Sequence, residues 1–178
     1  MMRVGTHSDA EEALRELMRI QRLSDEPREW VVISAAAIAE SFADRLIERL
    51  VASSEVARSA FGRKLLSESA NSFNQSWTQR NMWLSDGFGI RLSGTAIGQN
   101  MMVIVEVRNA LMHGLGSLTD RQVKNPSSAI ALQGQIRRVL NSQVHGRRVL
   151  LGQDAGVIAT DVARTYVLEL DRVSQIKH

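Results

Sequence analysis

The run from Arg28 to Ser53, which contains neither glycine nor proline, constrains the fold of this chain more than any other stretch. Its apolar residues Trp30, Val31, Ile33, Ala37, Ile38, Phe42, Leu46, Ile47 and Leu50 mostly recur at the three- and four-residue spacing that lines one face of a helix. Asp25-Glu26-Pro27 supplies an opening, since proline is tolerated in a first helical turn but not in an interior. The run reads as a long core helix. Ser34-Ala35-Ala36-Ala37 would let another helix approach closely, while Glu40, Asp44, Arg45, Glu48 and Arg49 read as a solvated outer face. Such an element needs other helices to cover its apolar side, and the fold it calls for is an all-α bundle.

The flanking segments fit that plan. Ser8 to Leu23 begins with Ser-Asp, carries Glu11 and Glu12 in its first turn, and spaces Leu14, Leu17, Met18 and Leu23 as an amphipathic helix does. A third helical segment, residues 55–79, holds Phe61, Leu65, Leu66, Phe73 and Trp77. Residues 80–94, with Trp83, Gly87, Phe88 and Gly89, keep no period and read as an ordered loop with buried aromatics. Helical periodicity returns from Thr95 to His113, with Met101, Val105, Leu111 and Met112 among its apolar positions. Beyond Pro126, Ser127-Ser128 can cap a fifth helix ending near Ser142, and residues 145–152 resemble a turn and short strand. Asp154 starts a last helix with Val157, Val162, Tyr166, Leu170 and Val173 facing inward. The expectation is one domain over residues 1–178, an up-down helical bundle with a short β-hairpin or turn insertion before the last helix.

Composition narrows the function. An apolar fraction of 44% and a charged fraction of 23% are ordinary for a soluble globular chain. The absence of cysteine excludes disulfides, thiolate zinc sites and iron–sulfur clusters. With four histidines as the remaining nitrogen ligands, no dedicated metal site and no cofactor are expected. No apolar run approaches the roughly 18–20 residues that span a bilayer. The first residues are too acidic for a signal peptide, so a cytoplasmic location without membrane contact is expected. A net charge of +3 and a pI near 9.9, carried mostly by arginine, favour an anionic partner only weakly.

The chemistry concentrates in Glu106-Val-Arg108-Asn109-Ala-Leu-Met-His113-Gly114-Leu-Gly116. Here an apolar helix ends in a guanidinium that can grip a phosphate and an imidazole that can move protons near neutral pH, followed by two helix-stopping glycines. On an ideal helix Arg108 and His113 point about 140° apart. The long arginine stem, relaxation of the last turn, or a cleft lined by two copies of the helix would bring them together. Asn109 can orient the imidazole or contact a sugar or phosphate. Structural roles are open to the same residues: histidine in a last turn suits the helix dipole, and the arginine can cap carbonyls or pair with Glu106 or Glu40. Arg137, Arg138, Arg147 and Arg148 can track a nucleic-acid backbone or stand as solvated charge, with Arg147 and Arg148 the candidate RNA contacts. His145 reads as a surface residue, and His7 and His178 lie near the ends.

The segment Arg108-Asn109-Ala-Leu-Met-His113 resembles the signature of the HEPN superfamily: arginine, then four to six positions of which the first is polar, then histidine. The Arg28-Glu29-Trp30 helix with its alanine-rich start, and the Gly146-Arg147-Arg148-Val149 turn before the closing helix, are similar to the RiboL-PSP branch. The likeness covers most of residues 20–175, and the Arg108–His113 segment is its specific part. It implies an up-down bundle that dimerises with its motif helices lining a shared cleft, and a metal-independent endoribonuclease of the toxin–antitoxin or phage-defence kind. Arg108, Asn109 and His113 map to the functional positions. RNA, tRNA or mRNA among it, an antitoxin protein and a second copy of the chain are the partners implied. Some HEPN proteins keep the fold without known cleavage, so a non-catalytic protein binding RNA, nucleotide or a protein partner stands as the alternative, beside a helical interaction module of another class.

Overall fold

The computed structural model describes residues 8–23, 26–69 and 73–177, with only the backbone of residues 68, 69, 73 and 177. Expectations for the segment before Ser8, for Asp25, for the Phe73 side chain and for His178 fall outside those residues. The described elements are α1 (Ser8–Gln21), α2 (Arg28–Ser53), α3 (Glu55–Arg58), α4 (Ala60–Ser69), a 3-10 turn (Phe73–Gln75), α5 (Trp77–Met82), a π-helical turn (Trp83–Gly87), α6 (Ala96–His113), α7 (Asp120–Val123), α8 (Pro126–Leu140), the strands β1 (Gln143–His145) and β2 (Arg148–Leu150), and α9 (Ala155–Lys177). They form an all-α bundle with one antiparallel hairpin before the last helix, in which Val144 pairs with Val149.

The centre is α2, packed against α1, α6 and α9. It buries Val32, Ala35, Ala36, Ala39, Phe42, Ala43, Leu46 and Ile47 almost completely. On α9, Ala155, Ala159 and Ala163 are likewise fully buried. These alanines bring the two helices close: a β-carbon at Gly156 would stand 3.1 Å from Val31 Cγ1. Trp30, expected in this core, is 39% exposed instead, one turn into α2 where few neighbours reach it.

The face of α2 read as solvated is occupied. Arg49 pairs with Asp9 at 2.7 Å and Arg45 with Glu12 at 2.5 Å, both across to α1, while Glu40 and Asp44 receive Arg80. Helices surround α2 on several sides, so four of the five charged residues on that face meet charged partners, while Glu48 stays exposed. In α1 the buried stripe is Ala10, Ala13, Leu17 and Ile20, while Met18 and Leu23 are exposed. Alanines share that stripe with Leu17 and Ile20, and Leu14 packs half-buried beside it, so of the four spaced residues Leu14 and Leu17 face the neighbouring helices and Met18 and Leu23 do not.

The single third helix expected over residues 55–79 is broken into pieces. Ser54 Oγ accepts from Ala57 N–H, Ser59 Oγ from Gly62 N–H at 2.9 Å and Ser76 Oγ from Gln79 N–H at 3.2 Å, each cap starting a new helix. Phe61 and Leu65, apolar residues of that expected helix, lie exposed on α4. Residues 80–87, expected as loop, continue α5 and its π-helical turn. Trp83 and Phe88 there pack half-buried against the core, and Leu84 and Ile90 are buried.

Towards the C-terminus, the cap of α8 is Asn125, whose side chain accepts from Ser128 N–H at 3.1 Å; Ser127 and Ser128 already lie within the helix. Val157 of α9 faces outward, whereas Tyr166 and Leu170 are buried as expected. Among the described residues no helix is long and apolar enough to cross a membrane.

Candidate functional site

Thr95 caps the start of α6 by accepting from Gly98 N–H at 3.2 Å, and Met101, Val103, Ile104, Val105, Val107 and Ala110 are all buried. A helix buried on several sides keeps its polar residues for a purpose or a partner. On an ideal helix Met102, Glu106, Asn109 and His113 fall within about 60° of one another, and Arg108 stands about 100–160° round the barrel from them. That stripe faces a cleft of about 540 Å³ whose lining includes Glu40, Trp77, Glu106, Arg108, Asn109, His113 and Arg121. Arg108 enters it from the flank, so one helix brings Arg108, Asn109 and His113 to one cleft despite their angular separation.

Arg108 is half-buried and reaches towards α2. Its Nη1 donates to Asn109 Oδ1 at 3.2 Å, and Nη2 stands 3.8 Å from Glu40 Oε2. Asn109 therefore orients the guanidinium, not the imidazole. Among the described residues Arg108 Nε is buried with no hydrogen-bond partner. Of the two acids considered as partners, Glu40 is the one engaged. Glu106 instead anchors α7, accepting from Arg121 Nη2 at 3.0 Å and from Gln122 Nε2 at 2.5 Å. Both carboxylates in the cleft thus face arginine, and its charge is close to balanced.

Arg80 of α5 was not legible as a site residue; it does not line the cleft but backs its inner wall through the lining residues Glu40 and Trp77. Its side chain is 3% exposed. Nε and Nη2 donate to the two Asp44 oxygens at 2.6 and 2.8 Å, Nη2 also to the Asn74 carbonyl at 3.1 Å, and Nη1 stands 3.0 Å from Glu40 Oε1. The guanidinium lies 5.7 Å from the Trp77 ring centroid, and Trp77 meets Tyr166 edge-on at 5.7 Å. The available signal was Glu40 and Asp44 one turn apart on the core helix, where two carboxylates facing inward require a cation.

His113 is the last residue of α6 and is exposed, with no hydrogen-bond or ion-pair partner among the described residues. The helix stops because the Ala110 carbonyl accepts from both Gly114 N–H at 3.0 Å and Gly116 N–H at 3.1 Å. Gly114 is required by space: a β-carbon would lie 1.8 Å from the Ser117 carbonyl oxygen. The left-handed positions are the next two, Leu115 at φ 50° and Gly116 at φ 84°.

The hairpin is tied to this loop. Leu118 N–H donates to the Arg147 carbonyl at 2.7 Å and Val149 N–H to the Gly116 carbonyl at 2.9 Å. Arg147 is engaged with Asp120 at 2.6 Å and the Leu118 carbonyl at 3.2 Å, whereas Arg148 is exposed. Arg137 and Arg138 are exposed in the last turn of α8, and His145 stands 3.1 Å from Gln143 Oε1. No group of three or more His, Asp or Glu among the described residues is placed to hold a metal ion. No family model, curated protein or solved structure matches this chain.

Proposed function

We propose that the cleft at the end of α6 is the active site of a metal-independent endoribonuclease of the HEPN kind, acting as a toxin or phage-defence effector in the cytoplasm. The observation that carries the reading is an unengaged imidazole, His113, opening on the same cleft as Arg108 and Asn109, the three positions of the HEPN-like signature. RNA supplies its own nucleophile in the 2′-hydroxyl, so proton transfer and charge stabilisation suffice. The 2′-oxygen bonds to phosphorus as its proton leaves to a base, and the bond to the 5′-oxygen breaks as that oxygen takes a proton. The products are a 2′,3′-cyclic phosphate and a 5′-hydroxyl.

His113 serves as base toward the 2′-hydroxyl or acid toward the leaving oxygen, roles open to an imidazole because its ring nitrogens can accept or donate a proton. Arg108 stabilises charge on the phosphorane with paired donors, and Asn109 holds it for that contact. One imidazole in each chain's cleft covers one of the two proton transfers, which gives a physical reason for a C2 homodimer with composite sites. A protein antitoxin would be a further partner.

The second reading is a non-catalytic HEPN-like protein that binds RNA, nucleotide or a protein partner through the same residues. It is favoured by Arg108 already being engaged by Asn109 and Glu40. Cleavage assays with chelator present, on single strands, structured RNA and tRNA, separate the two. The endoribonuclease reading expects cleavage by the wild type that is lost in His113→Ala and Arg108→Ala. Cleavage surviving His113→Ala removes the acid–base role, and an inert wild type that binds RNA leaves the second reading.

A further inference from the structure

Leu115 stands in the left-handed region at φ 50° and is 91% exposed, two residues beyond His113. Leucine is ill suited to this position on two counts: its β-carbon crowds the backbone there, and its apolar surface lies in water. Glycine would sit there without strain. The loop is nonetheless firmly held, by the Ala110 carbonyl on one side and by the hairpin on the other. The two bonds between loop and hairpin make Ser117 and Arg148 a non-hydrogen-bonded antiparallel pair, whose side chains rise on the same face. Arg148 has no ion-pair or hydrogen-bond partner among the described residues, in contrast to its neighbour Arg147. One rigid frame beside His113 therefore displays a bare apolar side chain and an unpaired guanidinium.

Apolar surface and a cation carried on one frame match the two halves of a nucleotide. We infer that Leu115 and Arg148 form a nucleotide subsite flanking the scissile bond, Leu115 packing on the face of an unpaired base and Arg148 holding that nucleotide's phosphate. The location of the scissile bond rests on the ribonuclease reading of the cleft. Leucine offers no hydrogen-bonding group, so the subsite selects unpaired over paired RNA and does not read base identity.

The test uses a fluorescent single strand with 2′-O-methyl riboses, which lacks the attacking hydroxyl, and a hairpin of equal length. Binding, thermal unfolding and oligomeric state are measured for wild type, Leu115→Gly and Arg148→Gln. Leu115→Gly is expected to melt no lower than wild type yet bind the single strand about tenfold more weakly, a loss of the size that one base contact carries. Arg148→Gln is expected to weaken binding about fivefold and flatten the salt dependence by about one phosphate contact. Removing the base at one strand position should weaken wild type and leave Leu115→Gly unaffected. Equal affinity of Leu115→Gly and wild type overturns the subsite. So does a change in oligomeric state without a change in RNA affinity, which assigns Leu115 to a protein contact. A wild type that binds through Leu115 but cleaves no unmodified RNA keeps the subsite and sinks the catalytic reading. A wild type that binds no RNA removes both.

Discussion

The inner wall of the cleft and its mouth carry similar groups held in opposite ways. Backing the wall, Arg80 is enclosed by two carboxylates, a carbonyl and an aromatic face, with its side chain 3% exposed. At the mouth, the His113 side chain is exposed without a partner among the described residues, and on the loop and hairpin that follow it the Arg148 side chain is likewise unpaired and Leu115 projects into solvent. The physical reason for the difference is water. A buried charge without partners costs several kcal/mol, whereas an exposed one is satisfied by solvent until a ligand replaces it. Wall charges must therefore be matched within the chain, and only mouth charges can be left for a substrate to complete.

The sharpest way to break this comparison is to remove one group from each region and read both activity and stability. His113→Ala is expected to lower RNA cleavage about 10²- to 10⁴-fold, the range of a lost proton-transfer group, while stability moves by about 0.5 kcal/mol or less. Arg80→Met is expected to lower unfolding free energy by about 3 kcal/mol, because Asp44 and Glu40 lose the cation between them. Denaturant unfolding of the two variants decides the matter. If His113→Ala destabilises as much as Arg80→Met, the imidazole is a structural group and the distinction collapses.

The sequence displayed the mouth far better than the wall. Arg108, Asn109 and His113 are close along the chain, and the helix stop after them is written in two glycines, so local spacing revealed them. The same holds for α2, whose bounds follow from its period, and for the hairpin, whose turn contains Gly146. The wall depends on Arg80 meeting residues 36 and 40 positions away, through a segment that periodicity misread as loop. Local patterns carry no information on which face of α2 another element will cover. The same blindness drew residues 55–79 as one helix: the spacing of Phe61 and Leu65 is helical, but serine caps broke the segment and left both side chains exposed on α4. Leu115 escaped notice because a leucine between two glycines gives no sign that it, and not Gly114, takes the left-handed conformation.

Glu40 joins the two regions and allows a finer cut. It stands 3.0 Å from Arg80 and 3.8 Å from Arg108. Glu40→Gln is expected to destabilise by about 1 kcal/mol, the scale of one charged hydrogen-bonding interaction. A double-mutant cycle should then give coupling above about 1 kcal/mol with Arg80→Met and below about 0.5 kcal/mol with Arg108→Ala. The reverse order would make Arg108 the structural partner and tie the signature arginine to the wall.

The smallest effect concerns Tyr166, the chain's only tyrosine. It packs edge-on against Trp77, is 2% exposed, and its hydroxyl has no hydrogen-bond partner among the described residues. Burial pushes this phenol well above the ordinary tyrosine range, and the nearby Arg80 cation offsets only part of that rise. The sign follows directly. In the unfolded chain the hydroxyl ionises near pH 10, while in the folded protein it stays protonated. Stability is therefore unaffected below about pH 10 and falls above it by up to about 1.4 kcal/mol per pH unit. Tyr166→Phe removes the unpartnered hydroxyl and should leave stability at neutral pH unchanged or raise it by about 1 kcal/mol. It should also remove this part of the alkaline loss. Phenolate absorbance reports on one residue here, so its appearance near pH 10 in the still-folded protein would mean that water reaches the wall, and the contrast with the mouth would lose its physical basis.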